Sequence, residues 1–254
     1  MLLVVDVGNT QTHLGVYRDK ELVLSWRLST RADHTADELL ATLHTLLAEN
    51  DNPVVIDQVA IASVVPAQVG EWIAVAYRLA NAEPLLLTHE TAPGFSCRSV
   101  PPEEIGPDRI ADALAAIELY GAPVIVVDFG TATNIEIIDR EGAFVGGIIA
   151  PGLITSANAL FAAAARLPRI DIETPPSVIG QTTKSAVQSG LTYGEIDRID
   201  GLVRRIFAEL GYTAPVVATG GLSNRVLSLS TTITDVNDNL TLEGLRLAFE
   251  RSSS

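Results

Sequence analysis

Three glycine-containing turns and one acid–guanidinium pair are the stretches of this 254-residue chain whose residue types and spacing could do chemistry. Asp6-Val7-Gly8-Asn9-Thr10 and Asp128-Phe129-Gly130-Thr131-Ala132-Thr133 both read Asp-x-Gly followed by small polar residues, 122 positions apart (128 − 6). Such a turn between two strands aims several backbone N–H groups in one direction, and its small residues let an anion approach the backbone. The carboxylate ending the preceding strand can hold Mg²⁺, directly or through water, and bridge it to that anion. Ordinary hairpin turns use the same residues for conformational reasons alone, but recurrence at equivalent places favours a site. A third turn, Ala218-Thr219-Gly220-Gly221, follows a strand and could admit a flat ring or a phosphate; a plain strand-to-helix connection reads the same way. Gly106-Pro107-Asp108-Arg109 opens a helix. Asp108 there could accept a proton or merely favour the helix dipole, and Arg109 could hold developing negative charge or form a weak surface ion pair.

Other chemistries find little support. His13, His34, His44 and His89 are far apart, with no HExxH spacing, and Ser63, Ser156 and Ser189 lack a GxSxG elbow. Acidic residues outnumber basic ones 31 to 17, a net charge of −14, and Lys20 and Lys184 are the only lysines. Neither follows a GxxxxG loop, so a P-loop is excluded, and no basic cluster exists to neutralise a nucleic-acid backbone. Any phosphate handled here meets backbone N–H groups and recruited cations instead. With 47% hydrophobic and 19% charged residues the chain is globular rather than disordered. The lone Cys97 makes no internal disulfide, and the N-terminal apolar run meets Asp6 too soon for a signal-peptide core. The expected compartment is cytoplasmic.

The elements that must position these residues are also legible. Leu2 to Asp6, Thr12 to Tyr17 and Glu21 to Leu28 read as three antiparallel strands. Leu39, Leu40, Leu43, Leu46 and Leu47 share one helical face within 35–49, started by a capping box of Thr35 and Glu38. Strands follow at 54–65 and 85–88, with a helix from Pro66 to about Leu79 between them, then an irregular stretch over 89–102. The pattern restarts with a helix at 105–120 and strands at 123–128, 135–139 and 143–149. A helix follows Pro151-Gly152; a long helix spans 182–210, a strand 215–218, and a terminal helix about 240–250. Trp26 and Trp72 read as core or interface residues. The halves divide as 1–116 and 117–254, each opening with strand, Asp-x-Gly turn, strand, turn, strand.

These residues resemble the type III pantothenate kinases of the acetate and sugar kinase, heat-shock chaperone and actin superfamily. Besides the stretches above, the resemblance rests on Trp26-Arg27-Leu28-Ser29-Thr30, Ala62-Ser63-Val64-Val65-Pro66, Gly146-Gly147-Ile148-Ile149-Ala150-Pro151-Gly152, Leu167-Pro168, Ile179-Gly180-Gln181-Thr182-Thr183, Gln188-Ser189-Gly190 and Leu240-Thr241-Leu242-Glu243-Gly244-Leu245. Together they span nearly the whole chain in the family's order. The resemblance implies an α/β fold of two duplicated ribonuclease-H-like (actin-like ATPase) domains, each a mixed sheet flanked by helices, with ATP bound between them. It also implies transfer of the γ-phosphate to pantothenate, the first step towards coenzyme A. The implied ATP-binding residues are Asp6, Val7, Gly8, Asn9, Thr10, Gln11, Thr12, His13, Thr131, Gly220 and Gly221. Asp108 would be the general base. Gly106, Pro107, Asp108, Arg109 and Thr183 would bind substrate, Thr183 from a neighbouring subunit of a homodimer. Asp128 would contact a monovalent cation, potassium or ammonium, and Asp6 would hold Mg²⁺.

The chain departs from the family pattern in its acceptor region. The loop Arg98-Ser99-Val100-Pro101-Pro102 lacks the usual tyrosine; Pro107 replaces alanine, Asp112 and Thr182 replace asparagines, and Asn134 replaces threonine. Two other readings therefore stand beside pantothenate phosphorylation: a kinase of the same fold acting on another small hydroxylated acceptor, and a non-catalytic nucleotide-binding regulator.

Overall fold

The computed structural model describes residues 1–49, 53–164, 167, 169–221, 223 and 228–252. Pro168 of the Leu167-Pro168 motif, most of the helix expected after Gly221, and the fraying expected at Ser253 and Ser254 lie outside the described residues. The chain forms two compact units, Met1–Leu119 with Leu240–Ser254, and Tyr120–Asn239. The terminal segment thus groups with the first unit, whereas a division at 116/117 leaves it with the second half.

In the first unit, β1 (Leu2–Val7), β2 (Gln11–Arg18) and β3 (Glu21–Ser29) form an antiparallel meander, and β4 (Gln58–Ser63) and β5 (Leu85–Leu86) add in parallel to give the order β3-β2-β1-β4-β5. β1 sits in the middle, so both its faces are covered, and its near-continuous apolar run follows from that. Leu3, Val5, Val7, Leu14 and Val16 point to one face, where α1 (Ala36–Ala48) and α2 (Pro66–Ala80) cover them with Leu39, Leu43, Trp72 and Val75. Each such fully buried side chain contributes about 1.5–3 kcal/mol relative to exposure. α1 starts with the expected capping box, in which Thr35 and Glu38 bond each other's backbone N–H groups. α3 (Pro107–Tyr120) and α6 (Leu240–Ser252) complete the unit.

The terminal helix α6 is joined to this unit by close packing and a buried polar network. Leu242 abuts Gly15 of β2, where a Cβ would lie 2.9 Å from its Cδ1. Gly244 presses on α3 so tightly that a Cβ would sit 2.7 Å from the Ala111 Cα. Thr241 donates to the Asp112 carboxylate at 2.7 Å, and the buried Tyr17 hydroxyl donates to Glu243 at 3.0 Å. Arg246, itself 5% exposed, bonds both Glu243 and Glu250. Burial and the Glu243 carboxylate push the Tyr17 hydroxyl far above its ordinary range.

The second unit repeats the plan. β6 (Val124–Phe129), β7 (Ala132–Ile138) and β8 (Phe144–Pro151) form the meander, and β9 (Val216–Thr219) and β10 (Asp235–Val236) pair in parallel, giving β10-β9-β6-β7-β8. This order matches the first sheet strand for strand. Even the bulges correspond: register shifts between Val16 and Tyr17 in one meander and between Ile137 and Ile138 in the other. α4 (Leu153–Ala163) and the 28-residue α5 (Thr183–Leu210) supply the helices, and α5 lays Ile196, Ile199, Val203 and Ile206 over Ile125, Val127, Ile135 and Ile137. Asp200, 3% exposed, pins the segment ahead of β10 by accepting from Ser230 Oγ, Thr231 N and Thr232 Oγ1 at 2.6, 2.8 and 2.7 Å. Burial alone would raise its pKa, but these hydrogen bonds outweigh burial and hold it at about 2. The duplicated α/β architecture, each half a mixed sheet flanked by helices, is therefore present.

Several strand bounds differ from the sequence reading. β4 begins at Gln58 rather than Val54, β5 has two residues rather than four, and β7 starts at Ala132, ahead of its apolar run. β10 was not anticipated, since two residues starting with an aspartate carry no strand signal.

Candidate active site

Asp6 and Asp128 occupy the same place in the two sheets. In both β1 and β6 four buried residues precede a half-buried aspartate and a buried fifth apolar residue. Alternation along the strand puts Asp6 on the face opposite Val5 and Val7, and Asp128 on the face opposite Val127 and Phe129. Both turns close tightly: Gly8 N–H donates to Gln11 O and Gly130 N–H to Ala132 O, each at 3.0 Å. Val7 pairs with Thr12 but Phe129 with Thr133, so the second turn is one residue shorter. A backbone strap holds each tip, Thr30 N–H on Thr10 O at 2.9 Å and Gly152 N–H on Thr131 O at 3.1 Å. Asn9, Thr10, Gln11, Gly130 and Thr131 are exposed, as an anion cradle requires.

In the second unit the Thr219-Gly220-Gly221 turn meets the Asp128–Thr133 turn. Asp128 pairs with Thr219 across β6 and β9, and Gly220 follows with φ of +90°. A Cβ there would collide with Asp128 Oδ1 and lie 2.7 Å from Phe129 O. Gly220 is thus required both by its left-handed backbone and by the carboxylate packed on it. Asp128, Gly130 and Gly220 converge at the carboxyl ends of two parallel strands, where open α/β sheets bind ligands. Gly221, exposed, comes next.

The base candidate lies at the corresponding edge of the first unit. Asp108 is in the first turn of α3, and its Oδ1 accepts the Arg109 backbone N–H at 2.9 Å. The carboxylate folds back over Gly106, where a Cβ would run into Oδ1 and lie 3.6 Å from Val64 Cγ1. Val64 N–H donates to Val7 O at 3.0 Å, so the Gly106–Asp108 corner borders the end of β1. Burial raises the Asp108 pKa above the ordinary carboxylate range, against the lowering effect of the Arg109 N–H and guanidinium. Pro107 occupies a first-turn position, where no helical hydrogen bond is lost.

The remaining site residues are distributed differently. His13 pairs with Asp6 across β1 and β2 but is 6% exposed, with Nε2 3.0 Å from Ser25 Oγ. Thr12, 4% exposed, points to the other face, its hydroxyl 2.8 Å from that of Thr30. Thr183 opens α5 on the surface, beside the exposed Lys184 and behind a capping box of Thr182 and Ser185. Among the described residues no group of three or more His, Cys, Asp or Glu could hold a metal ion. Metal binding here would rest on single carboxylates plus ligand oxygens, the arrangement Mg²⁺ favours with nucleotides.

Sequence reasoning missed the supports of the second turn. Thr133 Oγ1 donates to Glu195 Oε1 at 2.6 Å, and Thr155 Oγ1 donates to Thr131 O at 2.6 Å. No local pattern marks Glu195, which lies 62 positions from Thr133.

The type III pantothenate kinase family model matches residues 2–205. The chain is 45% identical over 255 residues to a type III pantothenate kinase of Roseiflexus sp. (strain RS-1), covering all of both chains. It is 41% identical to that of Halalkalibacterium halodurans, covering 99% of this chain and 100% of the relative. Among solved structures, the activator of 2-hydroxyisocaproyl-CoA dehydratase from Clostridium difficile with bound ADPNP is similar in fold, with a TM-score of 0.58 at 13% identity, covering 99% of this chain and 95% of that one. A ROK family glucokinase from Streptomyces griseus gives a TM-score of 0.50 at 12% identity, covering 98% and 99%. With relatives of this identity over its full length, two duplicated turns in place and a half-buried acid opening α3, the chain belongs to the type III pantothenate kinase family.

Proposed function

We propose that this enzyme transfers the γ-phosphate of ATP to the primary hydroxyl of pantothenate, giving 4'-phosphopantothenate, with Asp108 as the general base. The observation that carries the assignment is the Asp108 carboxylate, desolvated enough for a raised pKa yet ordered over Gly106. A base with a pKa moved towards neutrality removes a hydroxyl proton more effectively than an ordinary aspartate. The hydroxyl oxygen attacks the γ-phosphorus as Asp108 takes its proton, and the bond to the ADP oxygen breaks. Arg109 and Gly106 hold the acceptor, together with Thr183. Backbone N–H groups of the turns at 6–13 and 130–131 neutralise the phosphates, and Gly220 and Gly221 face the adenosine. Asp6 would hold Mg²⁺, which supplies charge neutralisation across the phosphate oxygens. Asp128 would contact potassium or ammonium. Positioning and electrostatics supply most of the rate in phosphoryl transfer, and every role here is of that kind.

Two further features belong to the proposal. Exposed Ile149, Val178 and Ile179, at 67%, 64% and 80%, favour a homodimer over an isolated chain. Among the described residues no helix is long and apolar enough to cross a membrane, and with the lone Cys97 this favours the cytoplasm.

Purified protein given Mg-ATP, potassium and pantothenate, with the acceptor followed by mass spectrometry, tests the reading. Phosphopantothenate should form, and should be lost in Asp108→Asn and when sodium replaces potassium. Phosphorylation of a different hydroxyl compound instead, which the loop Arg98–Pro102 without its tyrosine motivates, would overturn the choice of acceptor. Equal rates in sodium and potassium would remove the cation from Asp128.

A further inference from the structure

The second Asp-x-Gly turn is enclosed by a ring of hydrogen bonds. Its tip carbonyl, Thr131 O, accepts both Gly152 N–H at 3.1 Å and Thr155 Oγ1–H at 2.6 Å from the start of α4. Its C-terminal end, Thr133, is 1% exposed and donates its hydroxyl to Glu195 Oε1 of α5 at 2.6 Å. The other oxygen of Glu195 accepts Arg198 Nη2 at 2.5 Å, and the same nitrogen reaches Pro151 O at 2.9 Å. Pro151 precedes Gly152, so the ring returns to the strap on Thr131.

Glu195 is 6% exposed. A buried carboxylate is costly unless each oxygen is engaged, and here one takes the turn's hydroxyl while the other takes the guanidinium that also holds the strap. Strand alternation separates the two sides of β6 and β7. Thr133 lies with Ile135 and Ile137 on the α5 face, whereas Asp128 lies on the opposite face. Glu195 therefore stands behind the sheet from Asp128 and acts on a ligand only through the backbone it holds.

We infer that Glu195 is a positioning residue for nucleotide binding: it fixes the register and height of the 130–133 turn from behind, with Arg198 as its tie to the 151–152 strap. The inference rests on reading residues 128–133 as a phosphate turn. Removing the carboxylate leaves the Thr133 hydroxyl buried without its acceptor and frees Arg198 from one of its two anchors, so the turn loses preorganisation rather than a ligand contact.

The test is direct nucleotide binding, which needs no acceptor: calorimetric titration of Mg-AMPPNP into wild type, Glu195→Ala, Glu195→Gln, Thr133→Val and Asp128→Asn, with Tm recorded for each. Steady-state kinetics on the same proteins complete it. We expect Glu195→Ala to weaken nucleotide binding about tenfold and to raise the KM for ATP similarly, leaving the KM for pantothenate within twofold. Glu195→Gln keeps an oxygen for Thr133 and should recover most of the loss. Thr133→Val should behave like Glu195→Ala, and carries the test by itself if the alanine variant does not fold. Unchanged nucleotide affinity in Glu195→Ala and Thr133→Val, alongside a clear loss in Asp128→Asn, would overturn the positioning role and leave the phosphate reading intact. Unchanged affinity in Asp128→Asn would instead overturn the phosphate reading itself.

Discussion

The two Asp-x-Gly turns are copies with different backing. Each ends a central strand, closes on its own glycine, and is strapped at the tip by a residue at the end of the third strand, Thr30 in one and Gly152 in the other. Thr12 and Thr133 occupy equivalent places one residue into the second strand's paired register. Thr12 meets the hydroxyl of the strap residue itself, Thr30. Gly152 has no side chain to offer, since a Cβ there would lie 2.8 Å from Thr131 O, and Thr133 turns instead to the carboxylate of Glu195 on α5. The first turn thus has a neutral, local support, beside a cavity of about 370 Å³ lined by Thr12, Thr30, Arg31, Gln68 and Trp72. The second has a charged support that ties it to two helices. Duplication preserves the two turns, whereas the groups that back them differ: a neighbouring hydroxyl behind the first and a buried carboxylate behind the second.

The largest effect should come from the proposed base, Asp108, which belongs to the first unit. Asp108→Asn should lower kcat by about 10²–10⁴-fold while nucleotide affinity stays within twofold, as read by rapid-quench kinetics and calorimetry. Its raised folded pKa means that the charged form is disfavoured by folding, so stability is greatest below the unfolded pKa and falls as pH rises through the folded one. The same variant should therefore melt higher than wild type at pH 7. A lower Tm would contradict the desolvated carboxylate. In the wild type, kcat/KM should fall on the acid side with a midpoint above that of an ordinary aspartate.

The two straps should differ next. Gly152→Ala places a methyl against the Gly130 and Thr131 carbonyls and should cost about 1–3 kcal/mol in denaturant unfolding, with weakened nucleotide binding. Thr30→Ala removes one hydroxyl contact, keeps the backbone strap, and should cost about 1 kcal/mol or less. Equal costs would mean that the straps are not specialised as described. Smallest at neutral pH, and selective for the second unit, is the acid response of Asp200. Its pKa is lowered to about 2 against an ordinary 3.8, so its contribution is present above pH 4 and lost as pH falls towards 2. Acid unfolding followed by hydrogen exchange should open the 230–232 segment over that window in wild type, and Asp200→Asn should abolish the dependence.

Much of this was legible because it is local or periodic. The apolar runs that end in Asp6 and Asp128, the leucine face of α1 with its Thr35–Glu38 box, and Pro66 at the start of α2 all depend on residues within one or two turns of each other. Strand ends were less legible. Ala132-Thr133-Asn134 joins β7 through pairing with Phe129 and Asp128, a property of the partner strand rather than of its own polarity. Val54 to Asp57 has the composition of a strand but lies ahead of β4, whose pairing with β1 begins at Gln58. The aspartates, glycines and Asp108 could be named as candidates from type and spacing. The burial that raises the Asp108 pKa and the crowding that requires Gly220 could not.

The amino-acid order by itself determined the duplication, the two turns, the absence of a lysine-based phosphate loop in a chain of net charge −14, and the acid that opens α3. All of these are properties of residue type at short range, where backbone sterics and hydrogen-bonding capacity decide the outcome. Only the tertiary structure decided that α6 closes the first unit through Gly244 on Ala111, that Asp128 rests on Gly220, and that Glu195 backs Thr133 from 62 positions away. Those contacts join residues with no shared local pattern. They exist because burying the apolar faces brings the elements together, and each buried polar group then takes the partner that the packing places within reach.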